Sequence, residues 1–201
     1  MSLNTRNAAP LLKGRSRFAE QQEAEFAWWR NYLRHPTAKQ RMLALYGARY
    51  YGLFFAEMMD AGRTVEIGSG PLPVMETMLY DRGVAIDTLG PRYKVAGLTS
   101  WEILPSAEGI ETGWADTVLL LNVLDHTDDP APLVAQAHRI LRDGGKALVF
   151  VHLGPGDDKH IPIQPGDCGR WLGVFGDVVS HIADATVYDP PAYVAVAVKH
   201  G

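Results

Sequence analysis

Glu66, Gly68, Gly70 and Asp87 are the residues of this 201-residue chain whose types and spacing most directly imply ligand chemistry. The stretch Arg63-Thr64-Val65-Glu66-Ile67-Gly68-Ser69-Gly70 runs from a short β-branched segment into an acid and then two glycines one residue apart. Glycine has no Cβ, so a turn after such a strand takes dihedrals closed to other residues and lets a ligand lie against bare backbone. A carboxylate at the strand's end welcomes an ammonium or a sulfonium and repels a pyrophosphate. Asp87 lies seventeen positions beyond Gly70, at the end of the next apolar run. Taken alone, it also reads as a strand-end turn residue. A dinucleotide loop of the form Gly-x-Gly-x-x-Gly needs glycine at position 73, where this chain has Pro73. That substitution and the charge of Glu66 place an NAD-type oxidoreductase behind other readings.

Strands and helices must deliver these residues to one place. Residues 18–33 carry early acids and Phe26, Trp29 and Leu33 at helical spacing, with His35-Pro36 as the stop. Thr37 opens a second helix over 38–61, with Leu43, Tyr46, Tyr50 and Phe54 on a face read as core and Gly62 as its end. Strand and helix then alternate: a strand at 64–67, a helix at 72–81, a strand at 84–87, a third strand at 93–98 and a buried strand at 117–121. Asp128-Asp129-Pro130 opens a helix that Gly144-Gly145 ends, and a strand at 146–151 follows. The chain closes with strands at 178–187 and 193–198, joined without room for a helix. This pattern predicts an α/β fold: a doubly wound, mostly parallel seven-stranded sheet with helices on both faces, a C-terminal antiparallel hairpin and an N-terminal helical extension. The expected organisation is a loosely attached stretch at 1–15, a helical cap at 16–62 and a Rossmann-like domain at 63–201. In such a sheet, ligand-type residues at the strand ends gather along the carboxyl edge.

Composition narrows the function classes. With 47% hydrophobic residues, 21% charged residues and a net charge of -4, the chain suits one α/β domain and has no overall attraction for nucleic acid, which is not expected as a partner. The basic cluster Lys13, Arg15 and Arg17 reads as part of a solvated tail. The lone Cys168 excludes an internal disulfide, and no long apolar run or signal-peptide pattern marks the start, so a soluble, cytoplasmic protein with no membrane partner is expected.

The segment Val65-Glu66-Ile67-Gly68-Ser69-Gly70, then Asp87, then Leu119-Leu120-Leu121-Asn122-Val123-Leu124-Asp125-His126 resembles the class I S-adenosylmethionine-dependent methyltransferases over roughly residues 60–200. Asn122-Val123-Leu124-x-His126 before an Asp-Pro helix start is similar to the branch that methylates small molecules. The resemblance implies S-adenosylmethionine as cofactor. It implies that Glu66, Gly68, Ser69 and Gly70 meet the methionyl part, that Asp87 accepts from the ribose hydroxyls, and that Asn122 faces the sulfonium side. It further implies a small-molecule acceptor methylated on oxygen or nitrogen. No metal is implied. The chain departs from the pattern at Pro71-Leu72, where a third glycine is common, and at Ser100, which aligns with an aspartate that meets the adenine amino group. Ser100 retains one acceptor, and the neighbouring Trp101 offers a face for the base. A non-catalytic module that binds S-adenosylmethionine is the competing function, separated from an enzyme by turnover.

The remaining motifs carry two readings each. His126 is either the general base that takes the acceptor's proton or a residue that supports the following helix start. Asp189-Pro190-Pro191-Ala192-Tyr193 resembles an amino-methylation motif but lies between the last two strands, so it reads as a turn. Cys168 lacks the Pro-Cys context of a nucleophile and reads as structural. The glycine- and proline-rich stretch 154–176 reads as a mobile loop and lid, with His160, Arg170 and Trp171 as groups that select a polar or anionic acceptor.

Overall fold

The structure is a computed structural model and describes residues 17–156, 160–183 and 191–201. Helices α1 (Arg17–Tyr32) and α2 (Ala38–Met58) precede the alternating part of the chain. There follow β1 (Arg63–Ile67), β2 (Arg82–Ile86), α3 (Gly90–Val95), β3 (Ile103–Leu104), β4 (Ala115–Leu121), α4 (Ala131–Ile140), β5 (Leu141–His152), α5 (Pro165–Leu172), β6 (Asp177–Ala183) and β7 (Ala192–Val198). The strands form one seven-stranded sheet in the order β3-β2-β1-β4-β5-β7-β6. β1 pairs in parallel with both β2 and β4, and β7 runs antiparallel between β5 and β6. The mostly parallel sheet and its closing hairpin are therefore as the sequence predicts. Strand order reverses at β1, which places the switch point of the sheet at the carboxyl ends of β1 and β4.

Side chains alternate between two cores because successive strand residues face opposite sides. Val118 and Leu120 of β4 join Val134, Ala137 and Ile140 of α4 on one face. Leu119 and Leu121 point to the other, where Tyr50, Phe54 and Met58 of α2 pack with Met75 and Phe150. Glu66 faces this second side from the middle of the sheet.

Several elements differ from expectation. Residues 93–98 are not a strand: Tyr93 is fully buried whereas Val95 is 92% exposed, and residues two apart on a strand would share a face. Helix α3 resolves this conflict, opening at Gly90-Pro91, and the third strand is the short β3 paired with Ala85 and Ile86. The helix expected at 72–81 is only a 3-10 turn at Val74–Thr77. Pro71 and Pro73 lack N–H donors, and the N–H groups of Val74 and Met75 are turned onto the Glu66 carboxylate at 2.9 and 3.0 Å. Helix α4 stops at Ile140, before Gly144-Gly145, because Leu141 is already extended and paired with Ala115 of β4. Gly144 has a φ of +73° in the irregular part of that pairing.

The stretch 154–176 is not a simple loop. It contains α5, started by a reciprocal capping box between Gln164 and Asp167 and anchored by the buried Cys168 and Leu172. Cys168 and Leu172 belong to the core, so α5 is packed against the sheet. Burial pushes the Cys168 thiol up to about 12, which fits the structural reading of this residue. The Asp189-Pro190 turn, Lys13 and Arg15 lie outside the described residues.

Candidate active site

The carboxyl ends of β1, β2 and β4 open into a cavity of about 480 Å³, within the size range of small-ligand sites. Its floor is Gly68, Ser69 and Gly70 after β1, Asp87 after β2, and Asn122 after β4. Gly68 and Gly70 have φ of +75° and +57°, and Gly68 turns directly beneath Val123 of the loop after β4. The N–H groups of Gly68 and Ser69 both donate to the carbonyl of Ile86, tying the loop to β2. Asp87 Oδ2 accepts from Gly70 N at 2.9 Å and Oδ1 from Leu89 N at 2.8 Å. Burial raises the Asp87 pKa, against the pull of these two donors. Each of its oxygens retains acceptor capacity toward the cavity.

Glu66 departs from the role its position implies. It is buried, and both carboxylate oxygens accept from backbone N–H groups of the 74–77 turn. Burial pushes it up to about 8, with those two donors working in the opposite direction. Its main partner is the fold, although it also borders the cavity.

The cover comes from α1 and α2. Trp29 of α1 lies over Gly70, whose added Cβ would meet the indole at 3.3 Å. Glu25, one helical turn earlier, is hydrogen-bonded by the side chains of Trp29 and Tyr93. Burial, reinforced by the Asp87 charge, pushes the Glu25 carboxyl up to about 7. From α2, Tyr46, Arg49 and Tyr50 line the far wall, and the Arg49 guanidinium lies 5.6 Å from the centre of the Phe150 ring. The stripe read as core is thus split: Tyr50 and Phe54 are buried, while Tyr46 faces the cavity and its hydroxyl pKa is raised by burial.

At the end nearest β4, Asn122 is held in the left-handed region at φ 57°, with its N–H donated to the Phe150 carbonyl. Its amide nitrogen is 3.4 Å from His126 Nε2, and its Oδ1 is buried with no hydrogen-bond partner among the described residues. His126 and His160 line the wall beside it, their rings 4.6 Å apart and nearly perpendicular.

Seven residues singled out from sequence therefore meet at one cavity: Glu66, Gly68, Ser69, Gly70, Asp87, Asn122 and His126. Ser100 and Trp101 do not. They precede β3, so they belong to the opposite edge of the sheet, and Trp101 Nε1 donates to Glu76 at 2.7 Å. The residues that follow β3 on the carboxyl side are Pro105, Ser106 and Ala107. Of the three selecting groups expected in 154–176, only His160 reaches the cavity. Arg170 pairs with Asp167 on its own helix at 2.8 Å, and Trp171 packs on the core. Glu25 and Trp29 carry no local sequence signal beyond an amphipathic helix.

The floor suits an adenosyl sulfonium ligand in three respects. The two glycines form the turn that floors the cavity, Asp87 offers hydroxyl acceptors, and the unpartnered Asn122 Oδ1 offers a polar contact at the far end.

Comparison with known proteins agrees with this geometry. A family profile described as "Methyltransferase domain" matches residues 91–149. The chain is 26% identical over 163 residues to a ubiquinone biosynthesis O-methyltransferase of Pseudomonas aeruginosa, covering 69% of this chain and 65% of that protein. It thus spans less than two thirds of the length of the curated relatives it matches. Among solved structures, it resembles the Burkholderia thailandensis 1,6-didemethyltoxoflavin-N1-methyltransferase bound to 1,6-didemethyltoxoflavin and S-adenosylhomocysteine. That match has 16% identity and a TM-score of 0.63, covering 100% of this chain and 99% of the other. It also resembles the Haemonchus contortus phosphoethanolamine N-methyltransferase 2 in complex with S-adenosyl-L-methionine, with 12% identity and a TM-score of 0.61, covering 86% of this chain and 60% of the other. These two likenesses concern the fold. The profile match over residues 91–149 likens that part of the chain to a methyltransferase domain, and the strand order is the fold these solved structures share.

Proposed function

We propose that the protein is an enzyme that transfers a methyl group from S-adenosylmethionine to an oxygen or nitrogen of a small-molecule acceptor. The observation that carries this reading is the single cavity joining the glycine floor to a wall of aromatic and basic side chains. Gly68 and Gly70 give close backbone approach, Asp87 takes the ribose hydroxyls, and Asn122 marks the sulfonium side. Glu66 serves this arrangement by fixing the 74–77 turn. When bound, S-adenosylmethionine supplies an electrophilic methyl that the acceptor's lone pair takes as the carbon–sulfur bond breaks, its electrons staying on sulfur.

The chain's contribution is orientation, exclusion of water and management of one proton. Trp29 and the rest of α1 close the site from solvent. Tyr46 offers a face for a flat acceptor, and Arg49 favours one carrying negative charge. The imidazoles of His126 and His160 mark where the acceptor loses its proton.

The test is turnover. Incubation with labelled S-adenosylmethionine and a panel of phenolic, carboxylate and amine metabolites should produce S-adenosylhomocysteine with at least one acceptor. Cofactor binding without product across the panel would favour a non-catalytic binding module.

A further inference from the structure

We infer that Asp125, His126 and His160 form a binding site for a divalent transition-metal ion of the zinc or cobalt kind, built into the acceptor wall of the cavity. Each offers a ligand atom, and these atoms lie within 4.8 Å of one another. Two imidazoles and one carboxylate are a donor set suited to such ions.

The carboxylate supplies the independent observation. Asp125 is only 3% exposed, and its Oδ1 is buried with no hydrogen-bond partner among the described residues. That oxygen lies 4.0 Å from His126 Nε2. An unpartnered buried acceptor is expensive, and a cation is one of the few things that compensates for it fully. Asp125 and His126 share the short 3-10 turn at Leu124–His126, so their separation is fixed locally. The N–H of Ile161 donates to the Asp125 carbonyl at 2.9 Å, which ties the segment bearing His160 to the same turn. Metal–nitrogen bonds of about 2.0–2.1 Å require a tighter donor set than the one described. Binding an ion would require these donors to draw together about the Asp125–Ile161 backbone tie.

Three protein ligands leave a coordination position open, as catalytic rather than closed structural sites do. Both imidazoles line the cavity, so that position faces the acceptor. The ion's role rests on the methyl transfer proposed above, whereas the site itself does not. An acceptor hydroxyl bound there loses its proton to solvent at a lowered pKa. The resulting oxygen then forms the new bond to the methyl carbon, the carbon–sulfur electron pair stays on sulfur, and the ion keeps its oxidation state. The site thereby favours oxygen acceptors over amines.

The experiment uses tag-free full chain dialysed against chelator, then titrated with Co(II) by visible absorption and calorimetry, with Zn(II) as competitor. Binding of S-adenosylhomocysteine is measured in parallel. One saturable Co(II) per chain, displaced by Zn(II), is expected. Asp125→Asn and His160→Gln should each weaken it by about tenfold or more, with S-adenosylhomocysteine affinity unchanged. Absence of saturable binding by the unaltered chain, or binding retained in both folded variants, overturns the site. The unaltered chain decides if either variant fails to fold. Metal binding without S-adenosylhomocysteine binding would leave the site standing and remove the methyl-transfer reading; the reverse result would do the opposite.

Discussion

A Cβ on Gly68 would stand 2.1 Å from Cγ2 of Val123 and 2.6 Å from its Cβ. The loop after β1 and the loop after β4 therefore close on each other at a point where only a hydrogen fits, and Gly68 also needs a φ of +75°. A side chain there incurs both a left-handed backbone and overpacking, each about 1–3 kcal/mol. Gly68→Ala should lower stability by roughly 2–6 kcal/mol, and adding Val123→Ala should recover only part of the loss because the backbone cost remains. Denaturant midpoints measure both. A single variant within about 0.5 kcal/mol of the unaltered chain would show that the loop yields freely.

Glu66 is an acceptor for the fold first. Removing its carboxylate strands the buried N–H groups of Val74 and Met75. Glu66→Ala should therefore destabilise the protein by roughly 2–6 kcal/mol, at about 1–3 kcal/mol for each unsatisfied donor. A residue acting only on the cofactor's ammonium would instead change affinity and leave the melting temperature alone.

Glu25 predicts a pH dependence. Its folded pKa is raised from 4.5 to about 7, so the fold prefers the protonated carboxyl. The associated stability is fully present below pH 4.5 and is lost as pH rises through 7. Glu25→Gln stays neutral throughout, so the stability difference between variant and unaltered chain should shift in the variant's favour by roughly 1–3 kcal/mol between pH 4.5 and pH 7.5. Parallel denaturation curves at these pH values check it, and a constant difference would contradict the assignment.

The parts of this protein that were legible in the sequence are those set by local chemistry. Gly68 and Gly70 announce a turn that no other residues make, and Asp87 ends an apolar run that is a strand. The assignment of Ser100 and Trp101 failed because it depended on where the third strand lies. The burial of Tyr93 beside the exposure of Val95 turns 93–98 into helix and moves that strand to Ile103–Leu104. The contribution of Glu25 was illegible for a different reason: it is brought to the cavity by packing of a remote segment, and nothing in its neighbours specifies the destination, whereas His160 reads as an acceptor-selecting group and does line the cavity. The Glu66 carboxylate was read with the right location and the wrong first partner, since Pro71 and Pro73 reshape the following turn.

His126 stands at the acceptor end of the cavity, 3.4 Å from the Asn122 amide nitrogen. His126→Ala should lower turnover by about a hundredfold or more while leaving S-adenosylhomocysteine affinity intact, since a group at the acceptor end acts on rate rather than on cofactor affinity. Single-turnover kinetics with calorimetry separate the two effects. Loss of rate that only tracks loss of folded protein would make His126 a structural residue.

The claim that this cavity holds S-adenosylmethionine is tested most directly by calorimetric titration with S-adenosylhomocysteine, using the unaltered chain and Asp87→Ala. One site on the unaltered chain is expected, with affinity about tenfold to a hundredfold weaker in the variant. That loss corresponds to roughly 1.5–3 kcal/mol for charge-assisted bonds to two hydroxyls. It should be accompanied by some loss of stability, because the Gly70 and Leu89 N–H groups lose their acceptor. Saturable binding of NAD with no response to either sulfur compound, or equal affinity in a folded Asp87→Ala variant, would contradict it.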